Sequence, residues 1–192
     1  MLTVRIAIDG AQSTGKTTLF ELLRLAFSGD LAFIPEAARV LAPEFGVQRA
    51  EDWPQLLSDK TRLQKFFDAE EEWQLKQQIA SSAFVVDSSL MLTWAYRRHF
   101  QCSEPAHPDL AGHYDLVLYC PLRHPSHNDG FRFVVGRTSI DSHYKRIAQS
   151  VFVGKLVELP ESPSLRVSVA EQAIKSLLGS TDSQVPRVND GK

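Results

Sequence analysis

A glycine-rich loop near the start of the chain joins a short apolar run to a segment of helical period. The stretch Ile6–Leu23 reads IAIDGAQSTGKTTLFELL. Four of its residues fit the pattern G-x-x-x-x-G-K-[ST]: Gly10, Gly15, Lys16 and Thr17. Between a strand and a helix, such a loop binds a polyphosphate through its backbone N–H groups and the helix N-terminus. We therefore expect a nucleoside triphosphate, with Lys16 as an exposed ligand of the β and γ phosphates and Thr17 supplying a hydroxyl to Mg²⁺.

The rest of the chain alternates short apolar runs with longer segments of helical period. This alternation is typical of a parallel sheet whose strands are joined by crossover helices, which is a three-layer α/β fold. The five predicted strands are Val4–Asp9, Leu31–Ile34, Ala83–Asp87, Asp115–Cys120 and Lys155–Leu159. We predict one domain over residues 1–179 and a mobile, polar tail over residues 180–192.

Charge and hydropathy exclude several classes of protein. The formal net charge is −2, so the chain lacks the basic surface that is typical of nucleic-acid binding. No apolar run approaches the ~20 residues that a membrane-spanning helix needs, and the N-terminus does not read as a signal peptide. We therefore expect a cytoplasmic protein with no nucleic-acid or membrane partner. The two cysteines, Cys102 and Cys120, lack the spacing of metal ligands.

A carboxylate follows the second predicted strand, in the segment FIPEAAR, which contains Glu36 and Arg39. Ligands of an open α/β sheet bind at the carboxyl ends of its strands, where the glycine-rich loop also lies. A carboxylate there can accept the proton of an attacking hydroxyl, which makes Glu36 a candidate general base. The alternative is that Glu36 only complements the dipole of the helix that follows.

A second carboxylate, Asp87, ends the third predicted strand in the segment FVVDSS. An acidic residue at the end of an apolar strand is typical of the group that holds Mg²⁺, directly or through water, in proteins with this kind of loop. The alternative is that Asp87 caps the helix that starts at Ser88. The two roles are compatible.

A segment rich in turn residues, RHPSHNDGFRFVVGR, follows the fourth predicted strand and contains Arg123, Arg132 and Arg137. Guanidinium groups on such a segment can close over a triphosphate and neutralise charge in the transition state. This predicts a lid, with Arg132 as a catalytic residue and Arg137 as a nucleotide ligand. The alternative is an exposed loop with ordinary surface arginines.

A cluster of acidic residues lies in the longest interval between predicted strands. Its members are Asp68, Glu70, Glu71 and Glu72. They lie next to Leu63, Phe66 and Phe67, which share one face of a helix, so we interpret them as the solvated face of that helix rather than as a metal site.

Five stretches together carry a resemblance to a known family: GAQSTGKTTL, IPEAAR, VVDSSLMLTWAYRRHF, YDLVLYCP and NDGFR. From about Thr3 to about Leu178, the chain resembles the nicotinamide riboside kinase domain of the NadR type and its wider family of small AAA-labelled P-loop proteins. The resemblance implies a P-loop kinase fold of sheet order 2-3-1-4-5, with ATP and Mg²⁺ as cofactors. It also implies phosphorylation of the ribose 5′-hydroxyl of nicotinamide riboside.

The same resemblance implies roles for individual residues. The implied nucleotide-binding residues are Gly10, Ser13, Thr14, Gly15, Lys16, Thr17 and Thr18. Asp87 is implied as the strand-end carboxylate and Arg132 as a lid arginine. This sequence departs from the family pattern at Gln12, where Glu is usual, and before the lid motif, where PSHN replaces a segment that often holds Trp. An aromatic face for a nicotinamide ring would then come from Trp53, Trp73, Trp94 or Tyr96.

Two functions fit these features. The first is an ATP-dependent kinase that transfers the γ-phosphoryl group to a hydroxyl of a nucleoside-like small molecule, with nicotinamide riboside as the first acceptor to test. The alternative is an ATP- or GTP-binding regulatory module, or a slow NTPase, that acts through a protein partner. Glu36 favours the kinase, because a switch needs a positioned water more than a base beside an acceptor pocket.

Overall fold

The computed structural model describes residues 3–103, 113–122, 131, 135–152 and 154–182. Its five strands are β1 (Val4–Asp9), β2 (Ala32–Ile34), β3 (Ala83–Asp87), β4 (Leu116–Tyr119) and β5 (Lys155–Glu158). They form one sheet in the order β2-β3-β1-β4-β5, and every neighbouring pair is parallel. The five predicted strands are confirmed to within one residue at either end, and so is the sheet order that the resemblance implies.

Helices join the strands and extend past the last of them. The described α-helices are α1 (Lys16–Phe27), α2 (Ala37–Leu41), α3 (Trp53–Ser58), α4 (Lys60–Ile79), α5 (Leu90–His99), α6 (Arg137–Val151) and α7 (Pro163–Asp182). Two 3₁₀ helices, Ala42–Phe45 and Ala50–Asp52, lie between α2 and α3. Within the described ranges, no helix combines the length and apolar composition needed to cross a membrane. Because α7 continues to Asp182, regular helix extends three residues past position 179, into the segment where we predicted a mobile tail.

The central strands β1, β3 and β4 are buried on both faces, as expected for parallel strands covered by crossover helices, whereas the edge strand β5 is largely exposed. Side chains alternate along the central strand β1, so Ile6 and Ala7 belong to different apolar clusters. Ile6 packs with Leu23 of α1 and Ile174 of α7. Ala7 belongs to the cluster that includes Tyr144 of α6. These two cores fix the strand ends, and with them the segments that follow the strands.

A third apolar cluster lies within the long segment between β2 and β3. Its buried members are Leu41, Ala42, Val47, Leu56, Leu63, Phe66 and Phe67, from α2, the first 3₁₀ helix, the turn after it, α3 and α4. Because α2 begins directly after β2, this helical unit is joined to the sheet at a strand's carboxyl end. That is the end at which an open α/β sheet binds its ligands.

The acidic cluster on α4 is only partly a solvated face. Asp68 and Glu72 are exposed, as expected, but Glu70 is 6% exposed and Glu71 is 3% exposed. The expectation was wrong for Glu70 and Glu71 because α4 packs against α2 on one side and α5 on the other. Arg97 of α5 lies between these helices and neutralises part of the cluster. When a helix is considered alone, a charged side chain is assigned to the solvent-exposed face, because a buried partner on another helix is not visible in that segment of sequence.

Arg97 is 1% exposed and holds α4 to α5. Its Nη2 donates to Asp68 Oδ1 at 2.6 Å and to Glu71 Oε2 at 3.2 Å, and its Nη1 donates to the Ser103 carbonyl at 3.3 Å. Asp68 is more than half exposed, whereas Glu71 is buried. The pair that matters for stability is therefore Arg97 with Glu71, since removing one partner of a buried ion pair leaves the other charge without compensation.

We expect Arg97→Ala to lower the free energy of unfolding by about 3 kcal/mol, because it breaks the buried ion pair of Arg97 with Glu71. The matched control is Arg98→Ala, at the next and exposed position of the same helix, where we expect a change within about 0.5 kcal/mol. Urea denaturation followed by circular dichroism measures both. Equal stability of the two variants would mean that the Arg97 ion pairs contribute little.

Candidate active site

The loop between β1 and α1, here called the phosphate loop (residues 10–17), curls tightly at its two glycines. Gly10 has φ 144° and Gly15 has φ 87°, conformations that side chains disfavour. A Cβ added to Gly10 would lie 2.2 Å from the carbonyl oxygen of Cys120, so only glycine fits there. The loop therefore has the glycine-dependent form that brings successive backbone N–H groups toward a phosphate.

Lys16 starts α1 and is buried, with 1% of its surface exposed. Its Nζ donates to the carbonyl oxygen of Ala11 at 3.3 Å, inside the phosphate loop. Our expectation of an exposed Lys16 was wrong, because the lysine stem packs across the loop and its ammonium group binds the loop's own backbone. A bound phosphate would offer the ammonium charged oxygens in place of that neutral carbonyl.

Thr17 and Asp87 are brought together at the start of α1 and the end of β3. Thr17 Oγ1 donates to Asp87 Oδ2 at 2.8 Å, and Asp87 is buried. The residue that caps α5 is Ser89, whose side chain accepts from the backbone N–H of Leu92, so the alternative role of Asp87 as the helix cap is wrong. A hydroxyl and a carboxylate in contact are a suitable oxygen donor set for Mg²⁺.

Mg²⁺ at this place would need more ligands than the protein offers. Within the described residues, no group of three or more His, Cys, Asp or Glu side chains could hold a metal ion. Mg²⁺ ordinarily binds through one or two protein oxygens and completes its shell with water and substrate phosphates. The pair of Thr17 and Asp87 therefore fits an ion that is bound together with a triphosphate.

Asp9, the last residue of β1 and the one before the phosphate loop, is buried and binds the N-cap residue of α5 and a tyrosine of α6. Its carboxylate accepts from the Ser89 backbone N–H at 2.7 Å, from Ser89 Oγ at 2.6 Å and from the Tyr144 hydroxyl at 2.9 Å. Burial raises the pKa of Asp9, and these hydrogen bonds and the charge of Lys16 oppose the rise. Sequence reasoning missed Asp9, although an aspartate directly before Gly10 at the end of a buried strand was a usable signal.

Two arginines contact the backbone of the phosphate loop. Arg137, a predicted nucleotide ligand, donates from Nε to the Gln12 carbonyl at 2.9 Å. Arg166 of α7, which sequence reasoning missed, donates from Nη1 to the Thr14 carbonyl at 2.6 Å. It lies about 150 residues from the loop in sequence, so nothing local signals the contact. The other two candidate lid arginines, Arg123 and Arg132, lie outside the described residues.

A cavity adjoins the phosphate loop, here called the acceptor pocket. Its aromatic lining is Trp53, Phe66, Phe67, Tyr96, Phe100 and Phe131. Its polar lining is Gln12, Glu36, Glu70, Gln74, Ser88 and Thr93. Of the four aromatic residues considered from the sequence, Trp53 and Tyr96 line this pocket. Trp94 lies in a buried core and Trp73 packs against it.

Three of these aromatic residues make contacts beyond ring packing. Trp53 Nε1 donates to the carbonyl oxygen of Phe131 at 2.7 Å, and the two rings meet edge to face. The guanidinium of Arg39 lies 4.9 Å from the centre of the Phe131 ring. Tyr96 donates its hydroxyl to Gln12 Oε1 at 3.0 Å, and Gln12 Nε2 donates to the Val135 carbonyl at 3.1 Å.

Two carboxyl groups line the acceptor pocket. Glu36 occupies the N-cap position of α2, but its side chain makes no capping hydrogen bond, and Arg39 Nε donates to its Oε2 at 3.1 Å. Glu70 lies on α4, which packs against α2. Burial, and secondarily the charge of Glu36, raises the pKa of Glu70 to about 8, and Arg97 opposes this rise.

Comparison with known proteins identifies the family. A family model described as an AAA domain matches residues 5–151. The chain belongs to this family. This match confirms the family of AAA-labelled proteins that the resemblance implies. No curated protein matches the sequence.

Solved structures match the fold of this AAA domain. Deoxyadenosine kinase from M. mycoides with bound products has a TM-score of 0.59 and 14% identity, over 89% of this chain and 98% of that one. Thymidylate kinase from Candida albicans has a TM-score of 0.58 and 16% identity, over 92% and 93% of the two chains. The NadR protein in complex with NR has a TM-score of 0.62 and 20% identity, over 91% of this chain and 49% of that one. The present chain thus spans about half the length of the NadR chain. The present chain has a P-loop kinase fold.

Proposed function

We propose that this AAA domain is an ATP-dependent kinase that transfers the γ-phosphoryl group of ATP to a hydroxyl of a nucleoside-like small molecule. The observation that carries the proposal is that Gln12 and Glu36 line the same pocket. Gln12 belongs to the phosphate loop that follows β1, and Glu36 is a carboxylate that follows β2, the strand on the far side of β3 from β1. An apolar pocket with a carboxylate beside a triphosphate site has the parts that phosphoryl transfer to a hydroxyl requires.

Each residue then has a distinct role. Lys16 and the loop N–H groups hold the β and γ phosphates, and Thr17 with Asp87 holds Mg²⁺. Glu36 accepts the proton of the acceptor hydroxyl while the oxygen of that hydroxyl forms a bond to the γ-phosphorus. The bond between the γ-phosphorus and the oxygen that bridges it to the β-phosphate breaks, and ADP leaves. Arg39, which is paired with Glu36 at 3.1 Å, orients that carboxylate.

Nicotinamide riboside is the first acceptor to test. The aromatic walls of the pocket suit a flat ring, and Trp53 and Tyr96 are held in place by their own hydrogen bonds. A structurally similar protein, NadR, has been solved in complex with NR. Other nucleosides belong in the same panel, since two of the similar structures are a deoxyadenosine kinase and a thymidylate kinase.

The deciding experiment is a measurement of ADP release with Mg²⁺-ATP alone and with each member of a nucleoside panel that includes nicotinamide riboside. A kinase releases ADP in amounts that match the phosphorylated acceptor, as quantified by mass spectrometry. Slow ADP release that no acceptor stimulates would instead favour a regulatory module or slow NTPase that acts through a protein partner.

We expect Asp87→Asn to raise the Mg²⁺ concentration that gives half-maximal activity by about tenfold or more, because the carboxylate's charge holds the hard cation's oxygen shell. The control is Asp30→Asn, at an exposed position between α1 and β2, with an unchanged Mg²⁺ requirement. A Mg²⁺ titration at saturating ATP measures both. An unaltered titration for Asp87→Asn would remove this residue from the metal site.

A further inference from the structure

Glu70 is a buried carboxyl group that the proposed reaction does not use. It is 6% exposed and lines the acceptor pocket together with Glu36. Across the described residues, no hydrogen bond or ion pair reaches its side chain. A buried carboxyl group without a partner destabilises a protein, so its position in a cavity wall indicates that a ligand completes it.

The charged groups around Glu70 do not neutralise it. Glu36, at the start of α2, adds a second negative charge to the pocket. Arg97 of α5 is the nearest cation, but its Nη2 donates to Asp68 and Glu71. Among the other elements packed on α4, α3 contains no charged residue, and the 3₁₀ helix Ala42–Phe45 contributes only Glu44, which is exposed. Of the two pocket carboxyls, Glu36 is therefore paired with Arg39, whereas the cation nearest to Glu70 is Arg97, which Asp68 and Glu71 already engage.

The rest of the pocket wall favours positive charge as well. Aromatic rings attract cations at their faces, most strongly where water is excluded, and six aromatic residues line this pocket. An ionised carboxylate in such an environment is costly unless an opposite charge lies beside it. A cation bound between the rings would meet both requirements.

We propose that Glu70 is the specificity-determining residue of the acceptor pocket, and that it selects acceptors with a positively charged ring or amino group over neutral molecules of the same shape. This inference rests on the proposed function, because it assigns the acceptor to the same pocket. It extends that function by stating that the acceptor is a cation and that Glu70 recognises its positive charge.

The raised pKa of Glu70, about 8, gives this selection a pH signature. In the free pocket at neutral pH the carboxyl is mostly protonated, and a bound cation favours the ionised form, so binding releases a proton to solvent. The affinity for a cation therefore rises with pH by up to about tenfold per unit and levels off above about pH 8. The affinity for a neutral acceptor should not rise.

The test uses two probes of nearly the same shape: nicotinamide riboside, a pyridinium cation, and its neutral 1,4-dihydro form. Isothermal titration calorimetry at about pH 6.5, 7.5 and 8.5, in two buffers of different ionisation enthalpy, gives the affinity and the number of protons released. The variants are Glu70→Gln, which keeps the shape and removes the charge, and Glu72→Gln, an exposed control on the same helix. Phosphorylation of each probe is measured in parallel.

We expect the wild type and Glu72→Gln to bind the cation more tightly as pH rises and to release close to one proton at about pH 7. Glu70→Gln should bind the cation about tenfold or more weakly at high pH, release no proton and bind the dihydro form almost unchanged. The charge selection is wrong if the wild type binds both probes equally, binds neither probe, or binds the cation with an affinity that does not change with pH. The wild type alone is enough to establish any of these three outcomes. Preferential cation binding without phosphorylation would keep the charge selection and overturn the kinase.

Discussion

Lys16→Met is expected to lower phosphoryl transfer by about 10³-fold, because it removes the charged group that stabilises the β and γ phosphates during transfer. Methionine is the appropriate replacement because Lys16 is buried, so that alanine would combine the loss of charge with a cavity. Methionine fills most of the volume of the lysine stem, and the Ala11 carbonyl, which loses the Lys16 donor, still accepts from Thr14 Oγ1 at 2.8 Å. The measurement is single-turnover formation of phosphorylated acceptor at saturating Mg²⁺-ATP.

The control is Lys65→Met, which removes an exposed lysine from α4 and should leave the rate unchanged. Thermal unfolding of both variants, without nucleotide, separates a catalytic effect from a folding defect. Retention of wild-type transfer by a folded Lys16→Met would contradict the assignment of residues 10–17 as a phosphate-binding loop.

Glu36→Gln should lower the acceptor-dependent rate by about 10² to 10⁴-fold while changing triphosphate binding little. The amide keeps the size of the carboxylate but accepts no proton, and it loses the ion pair with Arg39. ADP release with and without an acceptor, beside a titration with a nonhydrolysable ATP analogue, measures the two effects separately. Glu44→Gln is the control, because Glu44 is exposed in the 3₁₀ helix that follows α2.

The Glu36 variant also separates the two functions. A regulatory module has no acceptor substrate. In such a protein, Glu36→Gln would alter only the slow hydrolysis of the nucleoside triphosphate or the binding of a protein partner. If the acceptor stimulates the wild type and Glu36→Gln equally, the kinase remains and another group accepts the proton.

The parts of this AAA domain that could be predicted from sequence are those set by local patterns. The phosphate loop has a fixed spacing, and each strand is a short apolar run bounded by turn residues. Asp87 could be found because a carboxylate at the end of an apolar strand is itself a local signal. Thr17 and Asp87, 70 residues apart in sequence, were each predicted as a Mg²⁺ ligand from such local signals, and the structure brings them into contact.

The parts that could not be predicted depend on which elements pack together. The burial of Glu70 and Glu71 follows from the packing of α4 between α2 and α5, and no pattern within α4 reveals it. Arg166 reaches the phosphate loop only because α7 packs beside α1. We expected Lys16 to be exposed because a ligand of a bound phosphate has to be accessible. Its burial instead depends on the fold of the phosphate loop, whose Ala11 carbonyl binds the lysine ammonium group.

Gln12 shows how one amide links the two halves of the candidate site. Its oxygen accepts from Tyr96 while its nitrogen donates to the Val135 carbonyl, so this position needs an acceptor and a donor at once. A glutamate here could satisfy Tyr96 but not Val135, and it would add a third carboxyl to a pocket that already holds Glu36 and Glu70. The neutral amide thus limits the carboxyl groups of the cavity wall, among the described residues, to Glu36 and Glu70.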